Sequence, residues 1–100
     1  MATTPTVLYR GAAATSSATL YTVPASTTTI VTEIIAANTA ATAATFTISL
    51  NGTVIVPAST IAANAVTVLN INEVLPTTQI LAGFASATTV NFSISGVQLV

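Results

Sequence analysis

One hundred residues make one ordinary domain, long enough to bury a core without metal or disulfide support. Only 3% of them are charged, the whole set being Arg10, Glu33 and Glu73 with a net charge of −1, against about 25% in an average protein. That excludes a basic surface for nucleic acid or anionic lipid, and the absence of Cys excludes a disulfide framework.

Met1 to Pro5 reads as an arm, and Thr6 to Arg10 as a short first strand closed by Gly11. Ala12 to Ser17 is a small-residue linker with no side chain large enough to anchor it. We therefore place an arm, strand and linker at residues 1–17 and a single β-sandwich domain at 18–100. Ala18 to Val23 is the second strand, and Pro24 fixes φ inside the turn Val-Pro-Ala-Ser.

The third strand, Thr28 to Asn38, is apolar on both faces. Strict alternation puts Ile30, Thr32, Ile34 and Ala36 inward and Val31, Glu33, Ile35 and Ala37 outward, with Glu33 marking the outer side. Val31 and Ile35 then face away from the core, and a strand with two apolar faces needs a cover on each. Val31, Glu33 and Ile35, with Arg10 and Glu73, are the candidate interface residues.

Thr39 to Ala44 is a loop, and Thr45 to Asn51 alternates with Phe46, Ile48 and Leu50 inward. Asn51-Gly52 is a two-residue hairpin signal. Thr53 to Val56 pairs back and ends at Pro57, which cannot donate to a ladder; Ser59 to Asn64 is a second small-residue connection. Ala65 to Glu73 is a strand whose phase slips between Val68 and Leu69, the mark of a bulge. After the turn at Leu75-Pro76-Thr77-Thr78, Gln79 to Ala85 carries Ile80, Ala82 and Phe84 on one side. Ala85 to Thr88 is the last hairpin loop. The final strand sends Val90, Phe92 and Ile94 inward, and a bulge at Gly96 hands the apolar role to Val97 and Leu99.

About eight short strands with turn chemistry between them and no helix predict an all-β antiparallel two-sheet sandwich, jelly-roll-like, with an immunoglobulin-like sandwich as the alternative. Hydrophobic residues make up 52% and mean hydropathy is +0.87. No apolar run nears the about 18 residues of a spanning helix, and the amino terminus has neither the charged nor the apolar segment of a secretory leader. The expectation is a soluble chain not exported by that route, outside membranes.

Chemistry has little to work with. His, Cys, Lys and Asp are all absent, so a Ser or Thr nucleophile has only Glu33 or Glu73 as a base. Neither lies near a nucleophile elbow. No metal ligand cluster, acidic loop or phosphate-cradling glycine motif is present. The expectation is no enzyme, no cofactor, no metal and no small-molecule substrate. Arg10 and the two glutamates either pair, within a subunit or across an interface, or stand alone on the surface; the second reading weighs more, because exposed pairs contribute under about 1 kcal/mol. The sequons Asn51-Gly52-Thr53 and Asn91-Phe92-Ser93 read as coincidences of a Thr-rich chain. Phe46, Phe84 and Phe92 read as core.

Leu20-Tyr21-Thr22-Val23-Pro24-Ala25 and Ile30 through Thr39 resemble the small β-sandwich virion proteins of tailed bacteriophages, of the head decoration or cement type. Phe46-Thr47-Ile48-Ser49-Leu50-Asn51-Gly52 and Ile94-Ser95-Gly96-Val97 extend the resemblance over residues 18–100. Ser26 and Thr27 depart from it, standing where such sequences often carry Gly and then a charged residue. The resemblance implies a non-enzymatic phage structural protein on the virion surface, a homotrimer or dimer that binds the major capsid protein and stabilises the outer lattice. The alternatives are a tail, baseplate or fibre module with the same sandwich, or a surface- or carbohydrate-binding module using its Thr rows.

Overall fold

The computed structural model describes residues 3–100. Eight antiparallel strands run β1 (Thr3–Ala12), β2 (Ala18–Thr22), β3 (Thr28–Asn38), β4 (Ala44–Leu50), β5 (Thr53–Ile61), β6 (Val66–Leu75), β7 (Ile80–Ala85) and β8 (Val90–Leu99). They form a front sheet of order β1-β8-β3-β6 and a back sheet of order β2-β7-β4-β5. β1 pairs with β8, β2 with β7, β3 with β6 and β4 with β5. The chain is therefore one long two-stranded ribbon, folded over at Asn51-Gly52 and rolled into two layers. The contacts β3 with β8 and β4 with β7 close the roll. This is the jelly-roll solution rather than the immunoglobulin-like one.

The fold of the ribbon is chemically specified. Asn51 and Gly52 take φ of 48° and 87°, the left-handed values that a two-residue hairpin of matching twist requires. In the turn after β2, Ser26 sits at φ 58°, a conformation that glycine adopts without a Cβ penalty.

The inward faces of the two sheets meet in a core that includes Leu8, Val31, Ile34, Phe46, Ile48, Leu81, Phe92 and Ile94. Phe46 from the back sheet meets Phe92 from the front one edge-on, centroids 6.1 Å apart at 63°, a favoured aromatic arrangement. One end of the sandwich is pinned by a polar chain. The Gln98 Nε2 donates to the Tyr21 hydroxyl at 2.6 Å, which lies 3.0 Å from the Thr29 hydroxyl.

Several sequence expectations need correction. The first strand is not confined to Thr6–Arg10: it begins at Thr3 and is an edge of the front sheet, while Met1 and Ala2 of the expected arm lie outside the described residues. The linker is anchored through backbone rather than side-chain bulk, by Ala13 N to Val90 O at 2.8 Å and Ala85 N to Ala14 O at 2.8 Å. Pro57 does not stop β5. It occupies a register irregularity on an edge strand, where Ala58 N donates to Thr47 Oγ1 at 3.2 Å instead of to a ladder carbonyl. Phe84 is not core: on β7 the inward residues are Leu81, Gly83 and Ala85, and the Phe84 side chain lies half-buried on the outer face.

Bulges explain the remaining differences. On β8, Gly96 stays in phase and buried, so Val97 and Leu99 face outward. The extra residues sit on its neighbours: Leu8 between Val7 and Tyr9 on β1, and Thr32 between Val31 and Glu33 on β3. The Thr32 hydroxyl donates to Ser95 O at 3.2 Å, a side-chain bond at the point where the ladder is interrupted. On β6 alternation runs unbroken through Val68 and Leu69; its irregularity lies at Ile71 and Asn72, opposite Thr32.

Gly96 occupies the point where these bulges converge. A Cβ there would be driven into the Ile30 carbonyl and come within 2.9 Å of Leu8 Cδ1. Backbone cannot swing aside as a side-chain tip can, so Gly96→Ala is expected to destabilise by about 2 kcal/mol. In a thermal melt that is a fall of about 10 °C for a chain of this length.

Candidate interaction surface

Cross-strand register builds the outer face of the front sheet row by row. Pro5, Val97, Ile30 and Val74 stand side by side across β1, β8, β3 and β6, an apolar row spanning the whole sheet. The next row is Val7, Ser95, Glu33 and Asn70. Beyond it come Arg10, Ser93, Ile35 and Val68, then Ala12, Asn91, Ala37 and Val66. Val66 and Val74 are each 57% exposed, and Val7 and Val68 are about half exposed. The face thus alternates methyl-rich rows with one polar band that contains a single carboxylate, beside a row holding a single guanidinium.

Three of the five candidate interface residues come together here. Glu33 and Ile35 face outward on β3, and Arg10 is two strands away on β1, its Nε donating to Ser93 Oγ at 3.4 Å. The partner of the guanidinium is therefore a hydroxyl rather than a carboxylate. Val31 does not belong to this surface. The bulge at Thr32 inverts the phase of the strand, so Val31 is fully buried in the core while Ile30 takes the outward place. Glu73 is the Cα partner of Val31 and so falls on the inward-facing side of β6, exposed only because β6 is an edge.

Ile30, Val97 and Val74 are surface residues that the sequence pattern assigned to the core or passed over. For β6 a signal was present: the even-numbered series Val66, Val68, Asn70, Asn72, Val74 contains both asparagines, and polar residues mark the solvated side. For Ile30 the signal was absent, since the bulge that reverses its phase falls at Thr32, a residue without turn character. For Val97 it was present, in the alternation that runs unbroken from Val90 through Gly96.

The outer face of the back sheet is of different chemistry. Thr45, Thr47 and Ser49 of β4 lie beside Ala82 and Phe84 of β7. The hydroxyls there are partly engaged, as at Thr47, and one aromatic ring stands alone among small residues.

The described residues contain no pocket and no group of three metal-ligating acidic, His or Cys side chains. No buried side-chain nitrogen or oxygen among them lacks a hydrogen-bond partner. No helix among them is long and apolar enough to cross a membrane. What the geometry offers is surfaces rather than a cleft. Searches against family models, curated proteins and solved structures find no match to this chain.

Proposed function

We propose that the protein is a non-enzymatic structural component of a bacteriophage particle, one that lies on the outer capsid lattice, docks on the major capsid protein and stabilises the shell. The observation that carries the reading is the row Pro5, Val97, Ile30 and Val74, with Ile35 and Val68 nearby, on a face with one Arg and one Glu. Jelly rolls serve many functions, so the fold alone assigns none. The support comes from the apolar rows together with the resemblance of residues 18–100 to small virion proteins. Burying such rows yields about 25 cal/mol per Å² of apolar area, and repetition over a lattice turns modest contacts into avid ones.

The experiment mixes purified protein with phage shells that lack it. Wild type is expected to co-sediment and to raise the temperature at which shells rupture. Ile30→Glu and Ile35→Glu are expected to remain folded and to bind at least about tenfold more weakly, since each carries an unpaired charge into the contact. Equal binding by both variants would remove this face from the proposal. Density on the tail or baseplate in electron micrographs of whole particles would replace the capsid reading with the tail-module one.

A further inference from the structure

The sandwich has four strand edges: β1 and β6 in front, β2 and β5 behind. An open edge presents unpaired N–H and C=O groups, and proteins usually spoil such edges with proline, charge, brevity or bulges. Three edges here are spoiled. β1 contains Pro5, Arg10 and the bulge at Leu8. β5 contains Pro57 and two register shifts. β2 is only five residues long and shifts register at Leu20.

β6 is different. It runs for ten residues with no Pro, Gly, Lys or Arg, and its one irregularity lies at Ile71 and Asn72. Val66–Asn70 is consequently a regular stretch, paired to Ala37–Glu33 on one side and open on the other. Its outward residues Val66 and Val68 are 57% and 48% exposed.

We propose that Val66–Asn70 pairs antiparallel with the same stretch of a second copy of this chain, about a two-fold axis at Val68, joining two front sheets into one continuous sheet. In that register Val68 meets Val68 of the second copy, Val66 meets Asn70 and Thr67 meets Leu69. The stretch is self-complementary: it holds no charge, and Glu73 falls beyond the paired residues, so no like charges oppose each other. On the outer face Ile35 and Val68 of each copy line up as one apolar strip of four residues. On the inner face Leu69, already packed against the core, gains the Thr67 methyl of the second copy. A contact of this kind is isologous, as the interface of a two-fold dimer, the commonest symmetric oligomer, must be. A net charge of −1 gives the copies almost nothing to repel each other with. The inference does not depend on the capsid reading: it shares Ile35 and Val68 with that face but leaves out the row through Ile30, so Ile30→Glu bears on the capsid reading alone.

The test is native mass by sedimentation at about 1 mM, high enough to populate a small interface of micromolar to millimolar affinity. Wild type should sediment at about twice the 10.0 kDa of one chain. Those alternate amides of 66–70 that point to the open edge, rather than to β3, should be protected from hydrogen exchange, with dilution removing that protection. Val68→Lys should sediment as a single folded chain, because the axis sets two ammonium groups side by side; Val68→Glu should do the same. An equimolar mixture of the two should recover the double mass. Wild type sedimenting as one chain, or an assembly indifferent to both variants, overturns the proposal.

Discussion

Val31→Glu is expected to yield no folded protein, whereas Ile35→Glu, four residues along the same strand, is expected to yield a native one. Val31 is fully buried in the core between the sheets. A carboxylate there has no cation to pair with, since the only one in the chain, Arg10, lies on the outer face. Burying an unpaired charge, or the neutral acid without hydrogen bonds, costs several kcal/mol. A domain of this size has about 5–15 kcal/mol in total. Ile35 projects outward and is only half-buried, so its variant keeps the core and alters the surface. Circular dichroism and urea unfolding of the two variants decide the matter. A Val31→Glu protein that melts like wild type would mean that the phase of β3 is not inverted at Thr32.

Asn38→Ala is expected to lower stability by about 4 kcal/mol, with a fall in melting temperature of about 20 °C. Asn38 ends β3 with its side chain buried. Its Nδ2 donates to the carbonyls of Thr42, Ile61 and Ala62 at 2.8, 3.3 and 3.3 Å. Its Oδ1 accepts from Ala40 N at 3.1 Å and from the Thr89 hydroxyl at 3.4 Å. One amide therefore ties together the connection after β3, the end of β5 and the loop before β8. Alanine leaves those carbonyls and the Ala40 N–H without their partner, and unsatisfied buried groups cost more than the bonds themselves contribute. Asn38→Asp separates shape from hydrogen bonding. It fills the same space but turns an acceptor toward three carbonyl oxygens, which raises the folded-state pKa of that carboxyl above its unfolded value. The stability of Asn38→Asp is accordingly expected to fall as pH rises from 4 to 7, about the ordinary carboxylate range upward, while wild type, with Asn there, lacks that dependence. A urea titration of each protein at the two pH values measures it.

How much of this was legible can be argued residue by residue. The strand count, the Asn51-Gly52 fold point and the span Thr28–Asn38 all follow from turn chemistry and β-branched runs, and the structure bears them out. The faces were harder. Glu33 correctly marks its side as outer, and the assignments of Ile34, Ile35 and Ala36 that follow from it hold. The same alternation carried backward through Thr32 fails, because a bulge shifts parity without leaving any signal in residue type. Phe84 was misplaced for a related reason. In a chain with three charges, Ala and Gly stand opposite Phe as readily inside as outside, so polarity does not reveal the phase of β7. The candidate surface was half visible as a result: Arg10, Glu33 and Ile35 belong to it, Val31 does not, and Ile30, Val97 and Val74 complete it.

The rolled ribbon carries a kinetic consequence. The hairpin at Asn51-Gly52 closes locally, on a timescale of about microseconds, but each further pair, β3 with β6, β2 with β7 and finally β1 with β8, must close a longer loop than the last. Thr3 meets Leu99 only when nearly the whole chain has been gathered in. Such a high contact order places folding in the millisecond-to-second regime, nucleated at the middle of the sequence and completed at its ends. The outermost pair is then the last to form and the first to peel away.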